Sequence, residues 1–124
     1  TTDVLQLLPV VIKIEDEQIL LVLVYRPPGP MHTFIQSLIH QLSILPTDKY
    51  RVMIVGDFNM DQMLSENVEK LQPLLTRFNL HQRSEYSTHI HGGILDLVLD
   101  DKESESIEWM PSPYSDHFVI LIQI

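Results

Sequence analysis

An unbroken apolar run, Ile19-Leu20-Leu21-Val22-Leu23-Val24, constrains this chain more than any other segment. Strand side chains alternate between two faces, so a run that is apolar at every position belongs to a central strand covered on both sides. A second run, Val52-Met53-Ile54-Val55, has the same character and predicts a strand over Arg51 to Val55. Between them, Pro27, Pro28, Gly29 and Pro30 force a loop. Phe34, Ile35, Leu38, Ile39 and Leu42 then recur at spacings of three and four, which predicts an amphipathic helix over Met31 to Leu45, ended by Pro46. Strand, helix and strand in this order indicate an α/β layer structure.

The rest of the chain extends the pattern. Val10 to Ile14 reads as a strand that pairs with Ile19 to Val24 about a charged turn, Glu15-Asp16-Glu17. Ser65 to Phe78 is a second helical region with Val68, Leu71, Leu75 and Phe78 on one face. Pro73 either kinks it or marks the first turn of a shorter helix that starts near Gln72. Further strands are expected at Ile94 to Leu99, Ile107 to Met110 and Phe118 to Ile124. All 124 residues are expected to form a single domain, and 44% hydrophobic content with only 4 glycines suits a packed globule. No apolar stretch approaches the roughly 18–20 residues of a membrane span, and no signal peptide is visible. With 0 cysteines there is no disulfide framework, which suits an intracellular location, nuclear or cytoplasmic.

The chemistry concentrates where apolar runs end. Val52 to Val55 leads into Gly56-Asp57-Phe58-Asn59, where the glycine permits close approach to a neighbouring strand. A period of two would point Asp57 and Asn59 the same way, a carboxylate and an amide placed to handle water and phosphate. Ile19 to Val24 leads into Tyr25-Arg26-Pro27-Pro28. Downstream come Thr88-His89, Leu95-Asp96-Leu97-Val98 and Ser115-Asp116-His117. Asp96 lies inside an apolar strand, where a carboxylate needs a partner, either His117 or the backbone and Thr88.

These five motifs in this order resemble the endonuclease/exonuclease/phosphatase family, and are most similar to the apurinic-type endonuclease domains of LINE-type retrotransposons. The resemblance runs from about Val10 to the end of the chain. It implies half of a four-layer α/β sandwich, a mixed sheet with helices on one face and a partner or second copy on the other. It implies metal-dependent hydrolysis of a DNA phosphodiester. Asp57 would orient the attacking water and Asn59 would contact the phosphate. Asp96 would hold His117 against the scissile group, Tyr25, Arg26 and Thr88 would contact substrate, and Asp116 would bind Mg²⁺ or Mn²⁺.

The family's amino-terminal half, with an early Asn and a metal-binding Glu, has no counterpart before Tyr25, since Glu15, Asp16 and Glu17 read as a solvated hairpin tip. Together with a first residue that is Thr rather than Met, this reads as the carboxyl-terminal half of a nuclease domain. Without the Glu, the metal would be held weakly. The expected partners are DNA and, for the uncovered sheet face, the missing half or a second copy in a homodimer. A formal net charge of −9 with only 8 Lys and Arg opposes polyanion binding and favours the alternative, a catalytically inactive remnant kept as a protein-binding or dimerisation module. Much of the acidity, at Asp100, Asp101, Glu103, Glu105 and Glu108, is expected in an exposed loop. His89 and His91 without a third clear ligand make a poor zinc pair.

Overall fold

The hairpin at the start of the described chain is longer than its apolar pattern. In the computed structural model, which describes residues 6–27, 33–84, 93–102, 106–111 and 118–123, β1 (Gln6–Ile14) pairs antiparallel with β2 (Glu17–Tyr25). Only Glu15 and Asp16 form the turn, Glu15 with a left-handed φ of 53°, and Glu17 already belongs to the strand. Pro9 sits inside β1 because β1 is an edge strand, where a missing N–H leaves no ladder bond unmade on the open side.

Helix α1 (Phe34–Ser43) carries the chain from β2 to β3 (Arg51–Asp57), which pairs parallel with β2. A parallel neighbour requires such a crossover. Helix α2 (Ser65–Phe78) follows, then the two-residue strand β4 (His81–Gln82) and β5 (Asp96–Asp100). β5 lies antiparallel to both β3 and β4. The chain is therefore an α/β structure, and its described residues form a five-stranded mixed sheet in the order β1-β2-β3-β5-β4 with two helices. β6 (Ser106–Pro111) and β7 (Phe118–Gln123) form a separate antiparallel pair.

Alternate strand residues tell the two faces of the sheet apart. Leu20, Val22 and Val24 of β2, Val52 and Ile54 of β3, and Leu97 and Leu99 of β5 share one buried cluster with Phe34, Leu38 and Leu42 of α1 and Leu71 and Leu74 of α2. Both helices thus cover the same face, and each such side chain contributes about 1.5–3 kcal/mol by leaving water. On the opposite face Ile19, Met53 and Val98 are buried, whereas Leu8, Leu23 and Tyr25 are 57%, 40% and 41% exposed. The central strand expected to be covered on both sides is so at Ile19 and open at Leu23.

Helix α2 runs unbroken through Pro73, in place of the late start near Gln72. Its inward face is also turned from the expected one. Asn67, Leu71 and Leu74 are buried, Leu75 and Phe78 pack at the margin, and Val68 is exposed. The reason is Asn67, whose Nδ2 donates to the Asp61 carbonyl at 3.1 Å and pulls that side of the helix onto the loop after β3. Asn79 ends the helix with a φ of 54°, as residues that tolerate the left-handed region do at C-caps.

The acidic segment expected to be exposed is not so at its start. Asp100 is wholly buried, with Arg51 Nη2 2.8 Å from its Oδ2 and Arg51 Nε 3.3 Å from its Oδ1. Arg51 Nη1 also lies 3.6 Å from Glu17 Oε1. The Asp101 carboxylate accepts the Val52 N–H at 3.0 Å. Hydrogen bonding to Asp100 holds the Arg51 pKa above the usual guanidinium value. A raised pKa contributes stability that is fully present below the unfolded guanidinium value, so this contribution is constant across the neutral range. Removing one member of a buried ion pair strands the other. Arg51→Met is therefore expected to lower unfolding free energy by about 3–5 kcal/mol in urea titrations, and Arg51→Met with Asp100→Leu to recover most of it. Equal loss in the single and double variants would show that the two charges do not depend on each other.

Candidate active site

The candidate site forms where β2 and β3 end and β5 begins. In the sheet register Tyr25 stands opposite Asp57, and Asp57 opposite Asp96. Three residues far apart in sequence thus line up across three neighbouring strands. Neighbouring strands lie about 4.8 Å apart, so the two carboxyl-bearing residues are adjacent on one sheet face. Asp57 and Asp96 are both half-buried, and Tyr25 is exposed.

Gly56 makes this alignment possible. A Cβ built on it would stand 1.8 Å from the Val24 carbonyl oxygen, so no other residue fits between β2 and β3 at this register. One residue later Asp57 ends the strand, and the alternation ends with it. Asn59 has a φ of 49°, so the period of two does not carry through to it. The chain instead closes a tight turn in which Asp57 Oδ1 accepts the Asn59 N–H at 3.0 Å. Short polar side chains accept such bonds readily in turns. The Asp57 and Asn59 pair is therefore adjacent as expected, through a turn and not through strand periodicity.

Arg26 departs most from its expected part. It is buried at 5% exposure, donates from Nε to the Phe58 carbonyl at 2.7 Å and from Nη2 to the Asn59 carbonyl at 2.7 Å. Its guanidinium carbon lies 5.4 Å from the centre of the Phe34 ring, which meets Phe58 edge to face at 5.7 Å. The Asn59 side-chain amide in turn donates to the Arg26 carbonyl, and the Arg26 N–H to the Asp57 carbonyl at 2.9 Å. The fork expected to grip phosphate thus clamps the turn that presents Asp57.

Two further residues hold the site from behind, and the motifs did not point to them. Asp61 Oδ1 accepts the Ile94 N–H at 2.9 Å and the Met63 N–H at 3.0 Å, with the Gly93 backbone, at a φ of 92°, packed over its carboxylate. Ser84 Oγ donates to the Asp96 carbonyl at 2.8 Å. The Gly92-Gly93 pair was the available signal for Asp61. For Ser84 there was none.

Thr88, Asp116 and His117, with His89 and His91, lie outside the described residues, so the structure brings together Tyr25, Arg26, Asp57, Asn59 and Asp96 alone. Among the described residues no group of three or more His, Asp or Glu side chains is placed to hold a metal ion. Asp57 and Asp96 supply oxygen donors of the kind Mg²⁺ prefers, but fewer than such a site needs. Among the described residues no helix is long and apolar enough to cross a membrane. No protein-family model, curated protein or solved structure matches this chain.

The clamp has a measurable weight. Lysine in place of Arg26 keeps the charge but cannot donate to two carbonyls in one plane or lie flat on Phe34. Arg26→Lys is expected to destabilise the protein by about 2–3 kcal/mol, read as a lower urea midpoint with an unchanged slope. A midpoint within error of the wild type would mean that the turn holds itself.

Proposed function

We propose that this chain is an endonuclease/exonuclease/phosphatase-type domain whose chemistry is divalent-metal-dependent hydrolysis of a DNA phosphodiester, and that it is weak on its own. The observation that supports this is the register that sets Tyr25, Asp57 and Asp96 side by side at one sheet edge. In this reading Asp57 accepts a proton from the attacking water. Its Oδ1 accepts the Asn59 N–H, which fixes the carboxylate within the turn. Asp96 orients His117, as a carboxylate commonly fixes an imidazole. The exposed Tyr25 hydroxyl and Thr88 meet the phosphate, while Arg26 acts through the backbone of the turn. Asp116 with Asp57 would hold Mg²⁺ or Mn²⁺, which when bound offsets negative charge on the phosphate. Two carboxylates are a thin donor set, and so the activity is slow. A net charge of −9 adds an electrostatic barrier to DNA approach.

The test is nicking of supercoiled and abasic-site DNA by the purified chain in Mn²⁺ and Mg²⁺. Slow, metal-dependent nicking is expected, reduced at least about 100-fold in Asp57→Ala, the range lost with a general base. Wild-type nicking that survives both Asp57→Ala and His117→Ala points to a contaminant and sinks the assignment. Absence of nicking by the wild type overturns present activity.

A second reading, a binding or dimerisation module, has its own support. Leu8, Val10 and Ile14 of β1 and Leu23 of β2 are exposed on the face opposite the helices. Contiguous apolar surface of this kind marks contact with another molecule. A second copy packed on that face would make an isologous dimer. Light scattering is then expected to give twice the 14.4 kDa chain mass at micromolar concentration, and half that value after Leu8→Glu with Leu23→Glu. A monomer at all concentrations excludes the dimer.

A further inference from the structure

The four arginines of this chain are all described, and three of them are engaged. Arg26 clamps backbone carbonyls, Arg51 grips Asp100, and Arg77 lies 5.0 Å over the Phe78 ring. Arg83 differs. Its main-chain N–H donates to the Val98 carbonyl at 2.8 Å, but its Nε is buried with no hydrogen-bond partner among the described residues. Among the described residues no ion pair or hydrogen bond to its guanidinium is found. Burying a guanidinium donor without an acceptor is unfavourable, and pairing among the described residues does not account for it.

Arg83 lines an open depression of about 550 Å³ between the end of α2 and β4. Thr76, Asn79 and His81 line it as well, with Gln72 and Gln82 beside them. The amides of Gln72 and Gln82 are already bonded to the chain, to Val68 and Ser84 respectively. Thr76, Asn79, His81 and Arg83 therefore bring a hydroxyl, an amide, an imidazole and a guanidinium to one concavity. None of the described lining residues is acidic, although the chain carries 17 Asp and Glu. The nearest acid in the sheet register, Asp100 opposite His81, is buried and held by Arg51.

We propose that this depression is a second site, one that binds a phosphoryl group. Donors on several sides match a tetrahedral group with three or four acceptor oxygens better than a planar carboxylate with two. The planar Arg83 fork supplies the charge-assisted bonds through the N–H groups other than the buried Nε. The site uses none of Tyr25, Asp57, Asn59 or Asp96, and it is independent of the nuclease reading. Free phosphate and a phosphodiester share this chemistry, so both serve as ligands in the test.

The experiment is a two-dimensional amide NMR titration of the metal-free chain with inorganic phosphate and, separately, with a thymidine dinucleotide, at constant ionic strength balanced by chloride. Saturable shifts are expected at Gln72, Thr76, Asn79 and His81. Arg83→Gln is expected to weaken binding about tenfold or more, the effect of losing one charge-assisted pair, and Arg77→Gln to leave it unchanged. His81→Gln, at an exposed position that does not threaten folding, is expected to weaken it less. It carries the test alone if Arg83→Gln does not fold. Saturation by the dinucleotide alone assigns a phosphodiester, and saturation by phosphate alone assigns the free anion. Shifts that never saturate with either ligand, or affinity that neither variant changes, would overturn the proposal. Because no metal or cleavage enters, failure here leaves the reading of Asp57 untouched, and failure of nicking leaves this one untouched.

Discussion

The parallel pairing of β2 with β3 is the constraint on which the rest of the structure depends. It is close enough that a Cβ at Gly56 would collide with the Val24 carbonyl, and the register it sets runs one residue further to Tyr25 and Asp57. β5 then pairs with β3 so that Asp96 meets Asp57. A slip of one residue in either pairing would turn these side chains to the helix-covered face, because strand residues alternate. Burial of Leu20, Val22, Val24, Ile54, Leu97 and Leu99 against α1 and α2 resists such a slip. The hydrophobic core and the geometry of the candidate site thus rest on the same register.

Charge is handled differently at the two ends of β3. At its start, Arg51 neutralises Asp100 inside the protein, with Glu17 beside it. At its end, Arg26 donates to two carbonyls and lies against the Phe34 ring, and it stiffens a turn that ends in a left-handed asparagine. A buried guanidinium satisfied by carbonyls costs less than one left unpaired, and its planar donors fix the carbonyls it meets. The carboxylates at the site edge are thereby presented on a rigid support, as preorganised chemistry needs. Among the described residues at this edge the one cation, Arg26, is spent on carbonyls, and in the proposed mechanism cationic help for a phosphate comes from a metal and His117.

Much of the fold was legible because its signals are local. The runs Ile19 to Val24 and Val52 to Val55 and the helical spacing from Phe34 to Leu42 each formed the expected element, and the acidic turn formed at Glu15 and Asp16 with Glu17 taken into the strand. Signals that depend on a distant partner were misread. Asp100 reads as part of a solvated loop until Arg51, 49 residues away, is brought to it. Asn67 looks like an outward residue of α2 until the Asp61 carbonyl meets it. Asn59 follows a strand in sequence, but a hydrogen bond to Asp57 turns it out of the strand's alternation. β4 is two residues long and carries no pattern of its own.

From its sequence alone, this chain could only be a layered α/β domain with its chemistry at the ends of its apolar strands. Unbroken apolar runs must be buried, and polar residues can follow them only where the sheet stops. Which of those polar residues meet was decided by tertiary structure, since register and crossover bring Tyr25, Asp57 and Asp96 together across 71 positions of sequence. The fold also decided the fate of each arginine. A guanidinium has the same fork wherever it stands, and whether that fork closes on a carbonyl, a carboxylate or an open depression depends on what the packed chain places around it.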